Sequence, residues 1–260
     1  MSEIKLVLSD MDDTLAPHMQ NEVSSVVRQA VIDVERRGIE IAVVTGRAYI
    51  HAKGVLTALG IEGPCVLDGG ATIVDAVSAE ILWKQWLDVQ TTRQITNVLK
   101  KYCSEAYLSS SYEMQPLNEL NLDQIHEDAP CVFAVAETID QIKLAVAELD
   151  DMKGIQVFSG IGSHPETSES CPAIQITHEL ANKFHGVEAL REIVGIPKEH
   201  TLAIGDGDND VPLFQNARVK VAMGNATAAL KAEADYIVGS LEQDGFAEAM
   251  TKYVLSKELE

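Results

Sequence analysis

Near the start of the chain an apolar run, Leu6-Val7-Leu8-Ser9, ends abruptly in Asp10-Met11-Asp12-Asp13-Thr14-Leu15. That reads as a buried strand with an acidic loop at its C-terminal end. Side chains i and i+2 share one face of a strand that rises about 3.3 Å per residue, so Asp10 and Asp12 are expected on one side, about 6–7 Å apart along the chain. Two carboxylates about 4 Å apart repel by about 4 kcal/mol at an effective dielectric of about 20. Such a cluster calls for a cation, a proton or both, and hard cations such as magnesium take oxygen ligands of this kind.

Beyond the loop the chain has a strand–helix rhythm. Val23, Val26, Val27, Ala30, Val31 and Val34 recur at helical spacing, and Gly38 ends that helix. Ile39 to Val44 reads as a second buried strand, ending in Thr45-Gly46-Arg47; a helix spans Ala48 to Leu59, and Pro64 to Leu67 is a third short strand. This alternation predicts a parallel sheet with right-handed crossovers. The rhythm then changes to a hairpin over Ala71–Asp75 and Glu80–Trp86. Helices at Val89–Tyr102 and Ile139–Met152 and strands at Ala106–Ser111, Cys131–Glu137, Gly154–Ser159 and Ala173–Thr177 come next. Gly160 to Ser170 reads as a turn-rich, mobile loop. From about Ala181 the first rhythm resumes. The predicted fold class is α/β, a Rossmann-like parallel-sheet core (residues 1–82 and 180–260) with an inserted α+β cap domain (residues 83–179).

A second acidic loop, Gly205-Asp206-Gly207-Asp208-Asn209-Asp210, again ends an apolar strand, Thr201–Ile204. Ligand sites of open α/β sheets lie at the carboxyl ends of strands, so both loops are expected at one edge, where three or four carboxylates share a divalent ion. Rival metal and nucleotide readings fail on residues. An EF-hand starting at Asp206 needs Gly and Glu where Val211 and Ala217 stand. A dinucleotide fingerprint needs a third glycine at Asp210, and the Gly-Lys-Ser/Thr of a phosphate-binding P-loop is absent.

Taken in order, Asp10-Met11-Asp12-Asp13-Thr14-Leu15, Val43-Val44-Thr45-Gly46-Arg47, Lys183 and Gly205-Asp206-Gly207-Asp208-Asn209-Asp210 resemble the four motifs of the haloacid dehalogenase-like phosphatase superfamily. The block between the second and third motifs, and Met223-Gly224-Asn225-Ala226, resemble its Cof-type (subclass IIB) sugar-phosphatase branch. Three positions depart from that pattern: Asp13 stands where glycine is usual, Asp68 where a turn asparagine is usual, and the glycine after Lys183 is delayed to Gly186, which makes His185 a fallback cation.

The resemblance implies a magnesium-dependent hydrolase of a small phosphomonoester, such as a sugar phosphate. Asp10 would attack phosphorus and form an aspartyl-phosphate. Asp12 would protonate the leaving oxygen and then deprotonate water, its pKa raised by the crowding of like charges. Asp10, Asp12 (through its backbone carbonyl), Asp206 and Asp210 would hold Mg2+. Thr45, Gly46, Arg47, Lys183, Asn209 and Asn225 would bind phosphate or substrate. In the cap, Tyr107, Tyr112, Glu113 and His164 are candidates for reading the substrate. A phosphomutase that passes the phosphoryl group to a second hydroxyl and a non-catalytic phosphometabolite-binding regulator are the alternative functions on the same scaffold.

Charge and cysteine usage limit the partners. A net charge of −20 argues against non-specific nucleic-acid or anionic-membrane binding. It also obliges an anionic substrate to find a local positive centre. The four cysteines are widely spaced, and no apolar run reaches the roughly 18 residues of a membrane span. With no signal-peptide pattern at the start, the expectation is a cytoplasmic monomer or small homo-oligomer.

Overall fold

All four residues of β1 (Leu6–Ser9) are buried, as an apolar run paired on both edges should be. The computed structural model describes residues 3–110, 113–117, 121–167 and 169–256. The chain divides into two units, Met1–Trp83 with Lys183–Glu260, and Lys84–Asn182. In the first unit β1 is followed by α1 (Ser25–Glu35), β2 (Glu40–Val43), α2 (Tyr49–Leu59), β3 (Pro64–Leu67), β4 (Thr72–Asp75) and β5 (Ile81–Lys84). Helix α1 buries the stripe Val27, Ala30, Val31 and Val34, and Ser24 caps it by accepting from the Val26 and Val27 amides. Each fully buried valine contributes about 1.5–3 kcal/mol.

The second unit holds α3 (Val89–Leu99), β6 (Glu105–Ser109), β7 (Met114–Pro116), β8 (Cys131–Val135), α4 (Ile139–Leu149), β9 (Ile155–Ser163) and β10 (Ser170–His178). Its five strands form an antiparallel sheet in the order β7-β6-β8-β10-β9. Ala106, Ala134 and Ile174 are register partners across three strands. With Val132 and Ile176 they share a buried core with Ile95, Leu99, Ile142 and Leu149 of the two helices.

The expected mobile loop over Gly160–Ser170 is instead mostly strand. β9 and β10 continue pairing as far as Ser163 and Ser170, leaving only a short turn between them. Gly162 sits where a Cβ would come within 3.1 Å of the Ala173 Cβ across the pair, so this glycine permits close strand contact rather than a loop. β7 carries no apolar alternation and is found only by its pairing to β6. Ser111 and Tyr112 lie outside the described residues.

The first unit resumes with α5 (Lys183–Val194), β11 (Thr201–Gly205), α6 (Val211–Gln215), β12 (Val219–Ala222), α7 (Ala228–Glu233), β13 (Tyr236–Ile237) and α8 (Gly245–Ala249). Its parallel sheet has the order β13-β12-β11-β1-β2. Beside β2, β3 joins through the Val44–Val66 bridge and then pairs antiparallel with β4. Every loop of interest therefore leaves the carboxyl end of a strand. Among the described residues no helix is long and apolar enough to cross a membrane.

Candidate active site

The β1–β11 ladder carries on one residue past β1. Ser9 pairs with Ile204, and the Asp10 amide donates to the Ile204 carbonyl at 3.0 Å. Asp10 thus emerges beside Gly205-Asp206. On the other edge the Val44 amide donates to the Ser9 carbonyl at 2.8 Å, which brings Thr45 to the same end. Asp10, Asp206 and Asp210 each offer a carboxylate oxygen, all within 4.8 Å of one another.

Glycines make this convergence possible. A Cβ at Gly205 would lie 2.4 Å from Asp210 Oδ2. That oxygen accepts from the Asp206 and Gly207 amides at 2.9 and 3.0 Å, so the Asp210 carboxylate occupies the space a side chain would need. Lys183 opens α5 and is buried, its Nζ 2.5 Å from Asp10 Oδ1 and 2.6 Å from Asp210 Oδ1. The delayed glycine has its reason here. A Cβ at Gly186 would come within 2.7 Å of Val66 Cγ1 and 3.0 Å of Gly70 backbone atoms, so the helix lies against that backbone one turn after Lys183. His185 stands edge-on to the Phe184 ring.

Three carboxylates face one ammonium, a formal sum of −2. Burial pushes the Asp10 carboxyl up to about 7, and the Asp210 and Asp206 charges add to this against the opposing pull of Lys183. Burial, with Asp210 and Asp13, likewise lifts Asp206 to about 6. For Lys183, burial alone would lower the value, but the two carboxylates outweigh it and keep the ammonium protonated. An all-oxygen donor set with excess negative charge fits a hard divalent cation.

Asp12 departs from the expectation. The strand ends at Ser9, so the i, i+2 rule does not carry to Asp12, and its side chain is not one of the three in the cluster. It pairs instead with Arg47, whose Nη2 is 2.6 Å and Nε 3.0 Å from its oxygens, and it accepts from the Met19 amide at 2.8 Å. Its half-burial would raise its pKa. The hydrogen bonds from Arg47 and Met19 outweigh that and hold the carboxyl below its usual value, so the predicted rise from crowding is reversed.

Other expected site residues divide similarly. Buried Thr45 accepts the Arg47 amide on Oγ1 at 3.1 Å, and Gly46 is exposed beside it. Asn209 is exposed on the second acidic loop. Asn225 has other partners than a phosphate: its Nδ2 donates to the Asp13 carbonyl at 2.9 Å and to Asp206 Oδ2 at 3.4 Å, and its Oδ1 accepts the Leu241 amide. Asp13 and Asp68 have φ of 56° and 53°, the left-handed region that Asp and Asn tolerate and glycine prefers. In the second unit, Tyr107 is buried and donates to Glu105, and His164 Nδ1 accepts the Glu166 and Thr167 amides. Thr14, passed over in the sequence, donates to Asp206 Oδ1 at 3.4 Å; its signal was its place inside the first acidic loop.

The family model for haloacid dehalogenase-like hydrolases matches residues 7–250. The chain is 26% identical over 253 residues to a phosphoglycolate phosphatase of Methanobrevibacter smithii, covering 97% of this chain and 99% of that one. It is 25% identical to the 5-amino-6-(5-phospho-D-ribitylamino)uracil phosphatase YcsE of Bacillus subtilis, with 97% of each covered. A solved haloacid dehalogenase-like hydrolase from Bacteroides thetaiotaomicron superposes with a TM-score of 0.79 at 23% identity, covering 96% of this chain and 99% of that one.

Proposed function

The chain belongs to the haloacid dehalogenase-like hydrolase family and is a phosphatase; from that premise we propose that it is of the Cof-type branch and hydrolyses a small phosphorylated metabolite, a sugar phosphate or close relative, with magnesium and through an aspartyl-phosphate on Asp10. The observation that carries this reading is the grip of Lys183 on Asp10 inside a cluster of three carboxylates.

In this reading an Asp10 oxygen forms a bond to phosphorus as the bond to the leaving oxygen breaks; Asp12, held ionised in the free site by Arg47 and Met19, takes up a proton from solvent as the anionic ester binds and passes it to that oxygen. Water then attacks the phosphoaspartate, Asp12 takes its proton, and inorganic phosphate leaves with Asp10 restored. Lys183 aims the nucleophile and offsets charge as an anionic ester arrives. The Thr45 hydroxyl and Gly46 amide hold phosphoryl oxygens. Asp10, Asp206 and the Asp12 carbonyl would hold the ion, with Asp210 seated on two amides as their support. When bound, the ion supplies positive charge that lets one anion approach another.

Asp10→Asn tests the assignment. Turnover of an aryl phosphate with magnesium is expected to fall by about 10³-fold or more, while circular dichroism stays that of the parent. Activity near the parent's would reject Asp10 as the nucleophile.

A further inference from the structure

An arginine has five N–H donors, and Arg47 has spent all of them. Nε faces the Asp12 oxygens at 3.0 and 3.2 Å. Nη2 donates to Asp12 Oδ1 at 2.6 Å and to the Gln20 carbonyl at 3.1 Å, and Nη1 donates to the Gln20 and His51 carbonyls at 3.1 and 3.2 Å. The side chain is 3% exposed. A guanidinium so committed keeps no donor for a phosphoryl oxygen. It joins three pieces instead: the Asp12 carboxylate, the segment 17–20, and the first turn of α2. That same segment supplies the Met19 amide to Asp12.

We propose that Arg47 is a positioning residue that acts through Asp12, holding that carboxylate in one orientation and tying the orientation to the segment 17–20. The inference rests on the proposed function, in which Asp12 protonates the leaving oxygen. A planar fork fixes a carboxylate in direction as well as distance, whereas a lysine there is a point charge on a flexible stem. Misplacing a reacting group by about 1 Å costs about 10²-fold in rate.

The test compares kcat and KM on an alkyl phosphate, whose leaving oxygen needs a proton, and on p-nitrophenyl phosphate, whose leaving oxygen needs little. The variants are Arg47→Lys, Arg47→Gln, Asp12→Asn and the double variant Asp12→Asn/Arg47→Lys. Each Arg47 variant is expected to lower kcat on the alkyl ester by about 10- to 100-fold and on the aryl ester by less than about fivefold, with KM little changed. In the Asp12→Asn background the alkyl-selective loss should disappear. An equal rise of KM on both esters, or a selective loss that persists undiminished without the Asp12 carboxylate, overturns the inference. An Asp12→Asn variant that loses nothing selectively rejects the acid assignment itself; a selective Asp12→Asn with unselective Arg47 variants rejects the Arg47 inference alone. The parent protein crystallised with orthovanadate gives a check independent of any variant's folding: Arg47 is expected to remain on Asp12, and its transfer to the vanadate oxygens overturns the proposal.

Discussion

Replacing Lys183 with methionine keeps the length of the side chain and removes its charge. Asp10 and Asp210 then lose an ammonium 2.5 and 2.6 Å away, and three carboxylates remain without a cationic side chain among them. Removing one partner of a buried ion pair costs about 3–5 kcal/mol, because the other charge is left uncompensated. Proton uptake limits that cost. Asp10, already at about 7 against 3.8 unperturbed, rises further without Lys183, so the folded variant holds a proton that the unfolded chain has shed. Stability therefore falls as pH rises through this window. The loss should be small near about pH 5 and approach the full 3–5 kcal/mol near about pH 8, roughly 6–20 °C in the midpoint of the affected transition. Calorimetry in EDTA reads this directly. Magnesium at about 100 to 1,000 times its Kd should restore about 3–4 kcal/mol, without restoring turnover, which falls by about 10²-fold or more once the nucleophile is misaimed and protonated. A Lys183→Met protein that melts within about 1 °C of the parent at pH 8 in EDTA, and turns over within about tenfold of it, would refute the electrostatic account.

Gly205→Ala puts a methyl group 2.4 Å from Asp210 Oδ2; the carboxylate must leave its two amides, at a cost of about 2–4 kcal/mol. Magnesium affinity by titration calorimetry should drop about tenfold, and an unchanged affinity would mean that Asp210 does not support the ion site. In the parent without metal, Asp10 at about 7 and Asp206 at about 6 both hold protons in the folded state that the unfolded chain, with values of 3.8, releases. The melting temperature in EDTA should therefore decline as pH is raised from about 4 to about 7, and saturating magnesium should flatten the decline by favouring the ionised forms. A flat profile in EDTA counts against this carboxylate cluster.

The parts of the molecule legible in the sequence are those written in local patterns. β1, β3 and β11 are short, largely apolar runs with sharp ends, and the acidic loops after β1 and β11 mark the site because carboxylates there have no solvent-facing alternative but a turn. What was not legible depends on neighbours distant in the chain. Gly160 and Gly162 read as loop because glycine's local freedom is all the sequence displays; their place in β9 comes from pairing with β10, where Gly160 stands opposite Ala173 and Gly162 opposite Cys171. Asp12 read as crowded by like charges because the strand was carried two residues too far. Its partner Arg47 lies 35 positions away, and no local rule pairs the two. Lys183 and Gly186 show the intermediate case. The lysine's part in the site came from the resemblance, while the offset of the glycine makes sense only with α5 laid against Gly70.

The place of β1 in the sheet has a consequence for how the enzyme comes into being. One edge of β1 pairs with β2, beginning at Glu40, and the other with β11, beginning at Thr201. On the ribosome the first partner is available early and the second only after the whole Lys84–Asn182 unit has been made. Until then Asp10 has neither its ammonium nor its fellow acids, so under the proposed function a nascent chain is expected to hold no ion and to take no phosphoryl group. A product arrested or clipped before Thr201 lacks Asp206 and Asp210 and is expected to be inert under the proposed function, with phosphate-ester cleavage switching on only once β11 and its acidic loop have been made.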